Sequence, residues 1–210
     1  MKRWLSIVTA ASLAGCGGAN VGVEVERDAS ATQGESLSGL EVARSVRLPI
    51  ADIRFHVAGK DAVSEDEGRW HTLVPENREV DLLALPLEGS VFLGDVRLPA
   101  GKITQIRLRL AAPEGVGEKR VLTGAVTEVD GTVCDLIVPA SAWDPGLKLV
   151  HPFKYIAVDP ANRVDLVLAF GLKEATRSSE AGRCVWRLQP TLKLKKAEME
   201  PGSQRHDPAA

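Results

Sequence analysis

The sequence predicts an all-β domain of the sandwich type, with about nine or ten short strands. Short apolar runs recur along most of the chain, separated by turns rich in Gly, Pro and Asp. Several of these runs alternate apolar and polar residues, which is the period of a strand with one buried and one solvated face. No segment keeps a 3.6-residue apolar period, so no long amphipathic helix is expected.

The clearest strand pattern lies in residues 81–110. Its last run, residues 105–110 (QIRLRL), alternates and places Arg107 and Arg109 on the polar face. A turn at residues 99–101 (PAG) separates this run from the apolar run before it, and we expect Gly101 to supply a positive φ there. We interpret the segment as the central hairpin of the sandwich.

The remaining strands follow in chain order, and Asp130-Gly131 marks a two-residue hairpin between two of them. Pro152 places its strand at an edge or a bulge, and residues 172–179 are expected to form at most a short helical turn. The domain is predicted to span residues 41–195, and the charged residues 196–210 to be a disordered tail. The expected strands are residues 50–57, 70–74, 79–85, 91–98, 102–110, 120–129, 132–138, 147–158, 163–170 and 183–194.

The N-terminus has the features of an export signal. Lys2 and Arg3 precede an apolar run that is too short to span a bilayer. The following residues 13–16 (LAGC) resemble the lipobox of bacterial lipoproteins, which implies that residues 1–15 are a signal peptide and that Cys16 is lipidated. A glycine after that cysteine, in place of aspartate, implies outer-membrane sorting in a Gram-negative cell. The alternative is an ordinary secretory signal with an incidental cysteine.

Residues 16–40 are predicted to be a flexible tether behind the lipid anchor, because small and polar residues predominate there. Residues 21–25 (VGVEV) alternate, and a short strand at this point is the alternative.

The chain has three cysteines. With Cys16 lipidated, Cys134 and Cys184 remain as a pair in an oxidising compartment, where a disulfide is expected. Closing a loop of this length contributes about 4 kcal/mol in the chain-entropy model. The alternative is two separate buried thiols. No Cys or His spacing indicates a metal site.

Composition and motifs argue against several function classes. A net charge of −2 and an aromatic content of 4% give no reason to expect nucleic-acid binding. No nucleophile, nucleotide or dinucleotide motif is present, so neither an enzyme nor a cofactor is expected. Asp52, Arg54 and His56 share the polar face of one predicted strand. We interpret them as a solvated face rather than a metal site, because the arginine would repel a cation.

An arginine stripe is one candidate ligand contact. Arg107 and Arg109, with Arg97 and Arg54, would form a basic row on one sheet that grips carboxylates or phosphates. The structural alternative is that these arginines pair with acidic neighbours, such as Asp81 and Asp95.

The tryptophans supply the second candidate contact. Trp143 lies in a predicted turn, where an exposed ring stacks on sugars in many carbohydrate-binding modules; a purely structural role is the alternative. Trp70 and Trp186 fall in predicted strands and are expected in the core.

Five segments, in this order, resemble the family of bacterial lipoprotein domains named domain of unknown function 4382. They are WHTL (70–73), VDLLAL (80–85), LPAGKITQIRL (98–108), GLKL (146–149) and LQPTLK (188–193). The chain departs from the family pattern at Ile103, where an aromatic is usual, and at residues 169–173, which lack two aspartates. The resemblance implies an exported sandwich of immunoglobulin-like or prealbumin-like type and brings no known activity.

The sequence therefore predicts a non-enzymatic lipoprotein, anchored to the cell envelope, whose sandwich domain binds an unknown envelope protein or glycan. The alternative is a carbohydrate-binding or accessory domain at the cell surface, with Trp143 and the arginines as contacts.

Overall fold

The structure, a computed structural model, describes residues 18–28, 40–62, 67–76, 78–113, 122–149 and 154–201. The predicted signal peptide, the lipidation at Cys16 and most of the predicted tail lie outside these residues. Within them, no helix is long and apolar enough to cross a membrane.

The all-β prediction is confirmed, with twelve strands and one short 3-10 helix, Ala140–Ala142, in the described residues. There are more strands than the nine or ten expected, because residues 19–27 form one and residues 147–158 contain two. The strands are β1 (Ala19–Arg27), β2 (Ala43–Ala58), β3 (Gly68–Leu73), β4 (Glu79–Asp81), β5 (Val91–Leu98), β6 (Gly101–Leu110), β7 (Leu122–Glu128), β8 (Val133–Ile137), β9 (Leu147–Lys148), β10 (Ile156–Val158), β11 (Asn162–Glu180) and β12 (Arg183–Pro201).

The strands form a sandwich-like pair of layers joined through β2, in the order β10-β6-β2-β7-β8-β12-β11-β1-β5. The start of β2 pairs with β7 at Val46, and its end pairs with β6 from Ile50 onward. We call β7, β8, β12, β11, β1 and β5 the first sheet. The second sheet is β3, the end of β2, β6, β9 and β10. The first sheet is mixed, since β1 runs parallel to β11 and β8 parallel to β12.

One apolar core lies between the layers, and the predicted alternation at residues 50–57 and 105–110 is confirmed. Inward side chains of both sheets are fully buried, because alternate residues of each strand point to the same side. Examples are Val21, Val23, Ile53, Phe55, Leu93, Ile106, Leu108, Leu166, Leu168 and Trp186.

The predicted central hairpin is wrong. β5 and β6 follow each other in sequence, but they lie in different sheets: Leu98 pairs with Ala19, whereas Gly101 pairs with Val158. The turn carries the chain from one layer to the other. Gly101 is required by close packing rather than by a positive φ, since a Cβ there would lie 2.2 Å from the carbonyl oxygen of Ala58.

The predicted flexible tether is also wrong for residues 19–27. They form β1, a strand inside the first sheet between β5 and β11, which confirms the alternative interpretation. Val21, Val23 and Val25 are fully buried. Small polar residues on the other face of this strand made it resemble a linker.

The expected end of the last strand and the helical turn at residues 172–179 are both wrong. β11 and β12 form one hairpin of two 19-residue strands, paired from Glu180 and Arg183 to Asn162 and Pro201. The hairpin turns at Ala181-Gly182, both with positive φ, of 50° and 77°. The first residues of the expected tail, up to Pro201, are therefore strand.

The predicted disulfide is confirmed. Cys134 and Cys184 are bonded, with their Cα atoms 4.8 Å apart. Each lies one residue before a paired position of the parallel strands β8 and β12, Asp135 and Val185. The bond therefore joins neighbouring strands of the first sheet.

Candidate functional site

The outward face of the second sheet brings together most of the residues singled out in the sequence. Cross-strand pairing aligns Trp70 of β3 with His56 of β2 and Gln105 of β6. The next row aligns Arg54 with Arg107. Lys148 of β9 extends this row on the other side of Arg107, and a further row pairs Asp52 with Arg109. We call this surface the Trp70 face; its members are Asp52, Arg54, His56, Trp70, Gln105, Arg107, Arg109 and Lys148.

Trp70 is the exposed aromatic at this face, and its predicted place in the core is wrong. The residue is 44% exposed because β3 is an edge strand that pairs with β2 in the described sheet. The His56 ring lies 5.1 Å from it, centroid to centroid, and the Arg107 guanidinium carbon lies 5.0 Å from its centroid. The indole is thus held by two polar neighbours and still presents surface to solvent.

The neighbours of Trp70 are themselves fixed by hydrogen bonds. The Thr104 hydroxyl donates to the His56 carbonyl oxygen at 3.3 Å and lies 2.8 Å from His56 Nδ1. Arg107 Nε donates to the Gln105 side-chain oxygen at 2.6 Å. These bonds set the orientation of the imidazole and the guanidinium.

Asp52 organises the other half of the Trp70 face. It is buried beneath two arginines, and Arg109 binds it with both Nε, at 3.1 Å, and Nη2, at 2.8 Å, on Oδ2. Arg54 Nε donates to Oδ1 at 3.1 Å. The sequence-based interpretation of a solvated face therefore does not hold at Asp52. Arg109, a predicted ligand contact, is occupied by this internal ion pair.

The Trp70 face carries more cations than anions. Asp52 is its one carboxylate, against Arg54, Arg107, Arg109 and Lys148. Within the described residues, no carboxylate pairs with Arg107 or Lys148. Of the predicted contacts, Arg107 is the one whose charge is available to a ligand.

Two other predicted members lie elsewhere. Arg97 is on β5 in the first sheet, where its Nε donates to the Gly18 carbonyl oxygen, so the four-arginine stripe is wrong. Asp95 pairs with Arg163, and Asp81 accepts backbone N–H groups, so neither neutralises the stripe. Trp143 follows the short 3-10 helix and packs, partly buried, against the core; its role as a ligand contact stays a prediction.

The outward face of the first sheet is organised differently. Arg163 of β11 passes over Gly22 of β1 to reach Asp95 of β5 at 2.7 Å, and it also contacts Asp165 at 2.8 Å. A Cβ on Gly22 would lie 2.4 Å from the Arg163 guanidinium. The glycine therefore makes room for an ion pair between strands that are not neighbours.

Ion pairs also cross β11, which lies between β12 and β1. Lys195 pairs with the buried Glu26 at 2.5 Å. Lys193 pairs with the buried Asp28 at 2.6 Å. Both pairs cross β11, where the register places Ala169 between Glu26 and Lys193.

Glu128, at the end of β7, is the hub of a third polar cluster. Its carboxylate accepts hydrogen bonds from Arg177 at 2.6 Å and from the buried Trp186 indole at 2.9 Å. Its pKa is lowered, mainly by the hydrogen bond from Arg177, with the Trp186 bond contributing in the same direction. The disulfide lies beside it, and the group Glu128, Cys134 and Cys184 has one carboxylate but no thiolate to offer a metal.

Comparison with known proteins identifies the family. The family model for domain of unknown function DUF4382 matches residues 39–190. The chain belongs to this family. No curated protein and no solved structure matches the DUF4382 chain.

The match starts after β1, although β1 lies between β11 and β5 in the sheet. The described domain therefore extends beyond the matched segment at the N-terminal side.

Sequence reasoning missed the exposure of Trp70. Its strand follows a charged loop and has exposed residues on both faces, as an edge strand does. Alternation alone did not reveal it, because residues 70–74 are too few to define a buried face.

Proposed function

We propose that this DUF4382 protein is an exported lipoprotein, anchored through Cys16, and that its domain binds an envelope partner through the Trp70 face without catalysing a reaction. The anchor is supported by the lipobox-like residues 13–16. The choice of face rests on one observation, the half-exposed Trp70 held beneath Arg107.

The exposed Trp70 ring beside an unneutralised Arg107 is energetically unfavourable unless a partner covers it. An exposed indole leaves apolar area in water, and an unneutralised arginine beside it attracts anions. Aromatic and arginine side chains are also the residues that contribute most at binding hot spots. The partner expected from this chemistry combines a flat or apolar patch with a negative group.

The anchor is tested by metabolic labelling with palmitate in the bacterial host. We expect label on the wild-type protein and none on Cys16→Ala, with the variant released from the membrane fraction. Label that persists on Cys16→Ala, or a wild type that carries none, would contradict the anchor.

The binding face is tested by capture of partners from envelope extract on immobilised protein. Trp70→Ala should lose the captured partner, whereas Phe92→Ala should keep it. Phe92 is a matched control because it is equally exposed, at 44%, and lies on β5 of the first sheet. Equal loss in both variants, or none in either, would argue against the Trp70 face.

A polysaccharide bearing carboxylate or sulfate groups is the second candidate partner. It is favoured by the combination of Trp70 with Arg107 and Lys148, because a ring stacks on a sugar while a guanidinium binds its acidic group bidentately. Neutral glycans would not use the two cations.

Affinity electrophoresis tests this candidate with polygalacturonate in one gel and dextran in another. We expect retardation by polygalacturonate alone, abolished by Trp70→Ala and reduced by Arg107→Gln. Trp143→Ala tests the contact expected from the sequence. Retardation that survives Trp70→Ala but fails in Trp143→Ala would move the site to the Trp143 turn.

A further inference from the structure

Few residues separate Cys16 from the first strand, and this short separation limits how the anchored domain can be oriented on the bilayer. We infer that the anchored domain stands directly on the bilayer, on the end of the sandwich that contains Gly18 and the turn at residues 99–100. This inference rests on the anchor proposed above. It replaces the picture of a domain lifted from the membrane on a long tether.

The chain is fixed to the domain from Gly18 onward. The Gly18 carbonyl oxygen accepts a hydrogen bond from Arg97 Nε at 3.3 Å, and Ala19 pairs with Leu98. Val21, Val23 and Val25 are fully buried behind them. Exposing these side chains to water is unfavourable, so β1 does not separate from the sheet to serve as a linker.

Only two chain steps join Cys16 to Gly18. Fully extended, two residues span at most about 7 Å. The headgroup layer on each side of a bilayer is about 5–8 Å thick. With acyl chains on Cys16 in the hydrocarbon, Gly18 therefore lies at the level of the headgroups, whatever conformation the intervening residues adopt.

Several chain segments share the end at which Gly18 lies. β5 ends at Leu98 beside Ala19, and the turn at residues 99–100 then leads into β6. Gly101, at the start of β6, pairs with Val158, so the turn at residues 159–161 lies at the same end. Lys60, after β2, joins it through a 3.4 Å ion pair with Asp159. This set of turns is the surface that we place against the bilayer.

The opposite end is the tip of the β11–β12 hairpin. Asn162 and Pro201 pair near the membrane end, and Ala181-Gly182 form the turn at the other. At about 3.3 Å per residue, strands of 19 residues carry the tip up to about 60 Å from that end. The anchor therefore fixes which turns meet lipid and which point away.

Quenching by headgroup-labelled lipid tests this orientation. The full lipidated chain is reconstituted in vesicles of phosphatidylcholine and phosphatidylglycerol that contain a nitroxide-headgroup lipid. Two single variants, Ala100→Cys and Ala181→Cys, each carry one fluorophore at an exposed turn. We expect the probe at residue 100 to lose most of its emission and the probe at residue 181 to lose none.

A third variant supplies the distance control. Twenty Gly and Ser residues inserted between Gly17 and Gly18 give a flexible chain with an average span of about 25 Å, and the loss of emission at residue 100 should largely disappear. Equal quenching at both positions, or no effect of the insertion, would overturn the inference while leaving the anchor in place. If the wild type does not float with the vesicles, the anchor itself fails and the inference fails with it.

Discussion

The two outward faces of the sandwich differ in how their charged side chains are paired. In the first sheet, two carboxylates each meet a cation: the buried Glu26 pairs with Lys195, and the exposed Asp95 pairs with Arg163. In the second sheet one carboxylate, Asp52, is shared by two arginines, and Arg107 lies over an indole instead. These carboxylates of the first sheet are neutralised within the domain, whereas Arg107 of the Trp70 face has no carboxylate partner in the described residues.

Small residues make the first arrangement possible. Gly22 of β1 lies under the Arg163 side chain, which crosses that strand to reach Asp95 on β5. On the outward face of the second sheet, the neighbouring side chains Trp70 and His56 are large. The difference between the faces is therefore set by residue size as well as by charge.

Removing the disulfide of the first sheet should cause the largest loss in the free energy of unfolding. Replacing Cys134 and Cys184 by serine removes a cross-link over 50 residues, which the chain-entropy model values at about 4 kcal/mol. Urea unfolding of wild type and double variant should show this loss in the free energy of unfolding. Reductant should lower the midpoint for the wild type and leave the variant unchanged; a wild type insensitive to reductant would contradict the role of the bond.

Glu128 gives the second largest effect. Glu128→Leu leaves the buried Trp186 indole without its acceptor, which costs about 2 kcal/mol. Glu128→Gln keeps an acceptor oxygen but removes the charge that Arg177 binds, so we expect about half that loss at neutral pH.

The Glu128 effect has a defined pH dependence. The folded-state pKa is lowered from the ordinary 4.5 by Arg177, so the charge contributes stability that is fully present above that value and is lost as pH falls through the folded-state pKa. The gap in unfolding free energy between wild type and Glu128→Gln should therefore be constant from pH 7 to 5 and narrow below pH 4.5. A gap that widens with acid would contradict the assigned ion pair.

Gly22 tests the crossing ion pairs with a smaller change. An alanine Cβ would displace the Arg163 guanidinium and weaken its pair with Asp95, at a cost of about 1 kcal/mol that shrinks in high salt. Gly59→Ala is the control, since no atom lies within 4 Å of a Cβ at that position. Thermal unfolding of both variants is measured at low and at high salt. Equal losses of stability in the two variants would argue against a role for the Arg163–Asp95 ion pair that crosses β1.

Elements fixed by local sequence were predictable, whereas elements fixed by long-range strand pairing were not. The strand at residues 50–57 and the position of the Asp130-Gly131 hairpin follow from local periodicity and turn residues, and both predictions are confirmed. The two-residue loop is wrong, because the backbone N–H of Glu128 donates to the Thr132 carbonyl oxygen and residues 129–131 form a three-residue loop. The burial of β1 was not predicted, because it depends on β5 and β11, which lie far along the chain. Likewise the turn at residues 99–101 has ordinary turn residues, and nothing local tells whether it joins neighbouring strands or opposite layers.

The Trp70 face was only partly predictable for the same reason. Arg107 and Arg109 were found from alternation, but their different availability follows from Asp52, which is 57 residues from Arg109. Trp70 reaches Arg107 only through the pairing of β3 with β2 and of β2 with β6. Long-range register decides which candidate side chains are free.

The smallest change in stability is expected for a substitution on the Trp70 face, and it tests the difference in charge between the two faces. Asp52→Asn keeps a hydrogen-bond acceptor for Arg54 and Arg109 but removes the one carboxylate of the Trp70 face, at a cost of about 1 kcal/mol or less. Because the cation excess of the face rises by one, retardation by polygalacturonate should strengthen and become more sensitive to salt. Glu79→Gln is the control, because it removes a carboxylate on β4, away from the Trp70 face, with the same change in net charge. If Glu79→Gln strengthens binding as much as Asp52→Asn, net charge rather than the Trp70 face governs the interaction, and the functional difference between the two faces no longer holds.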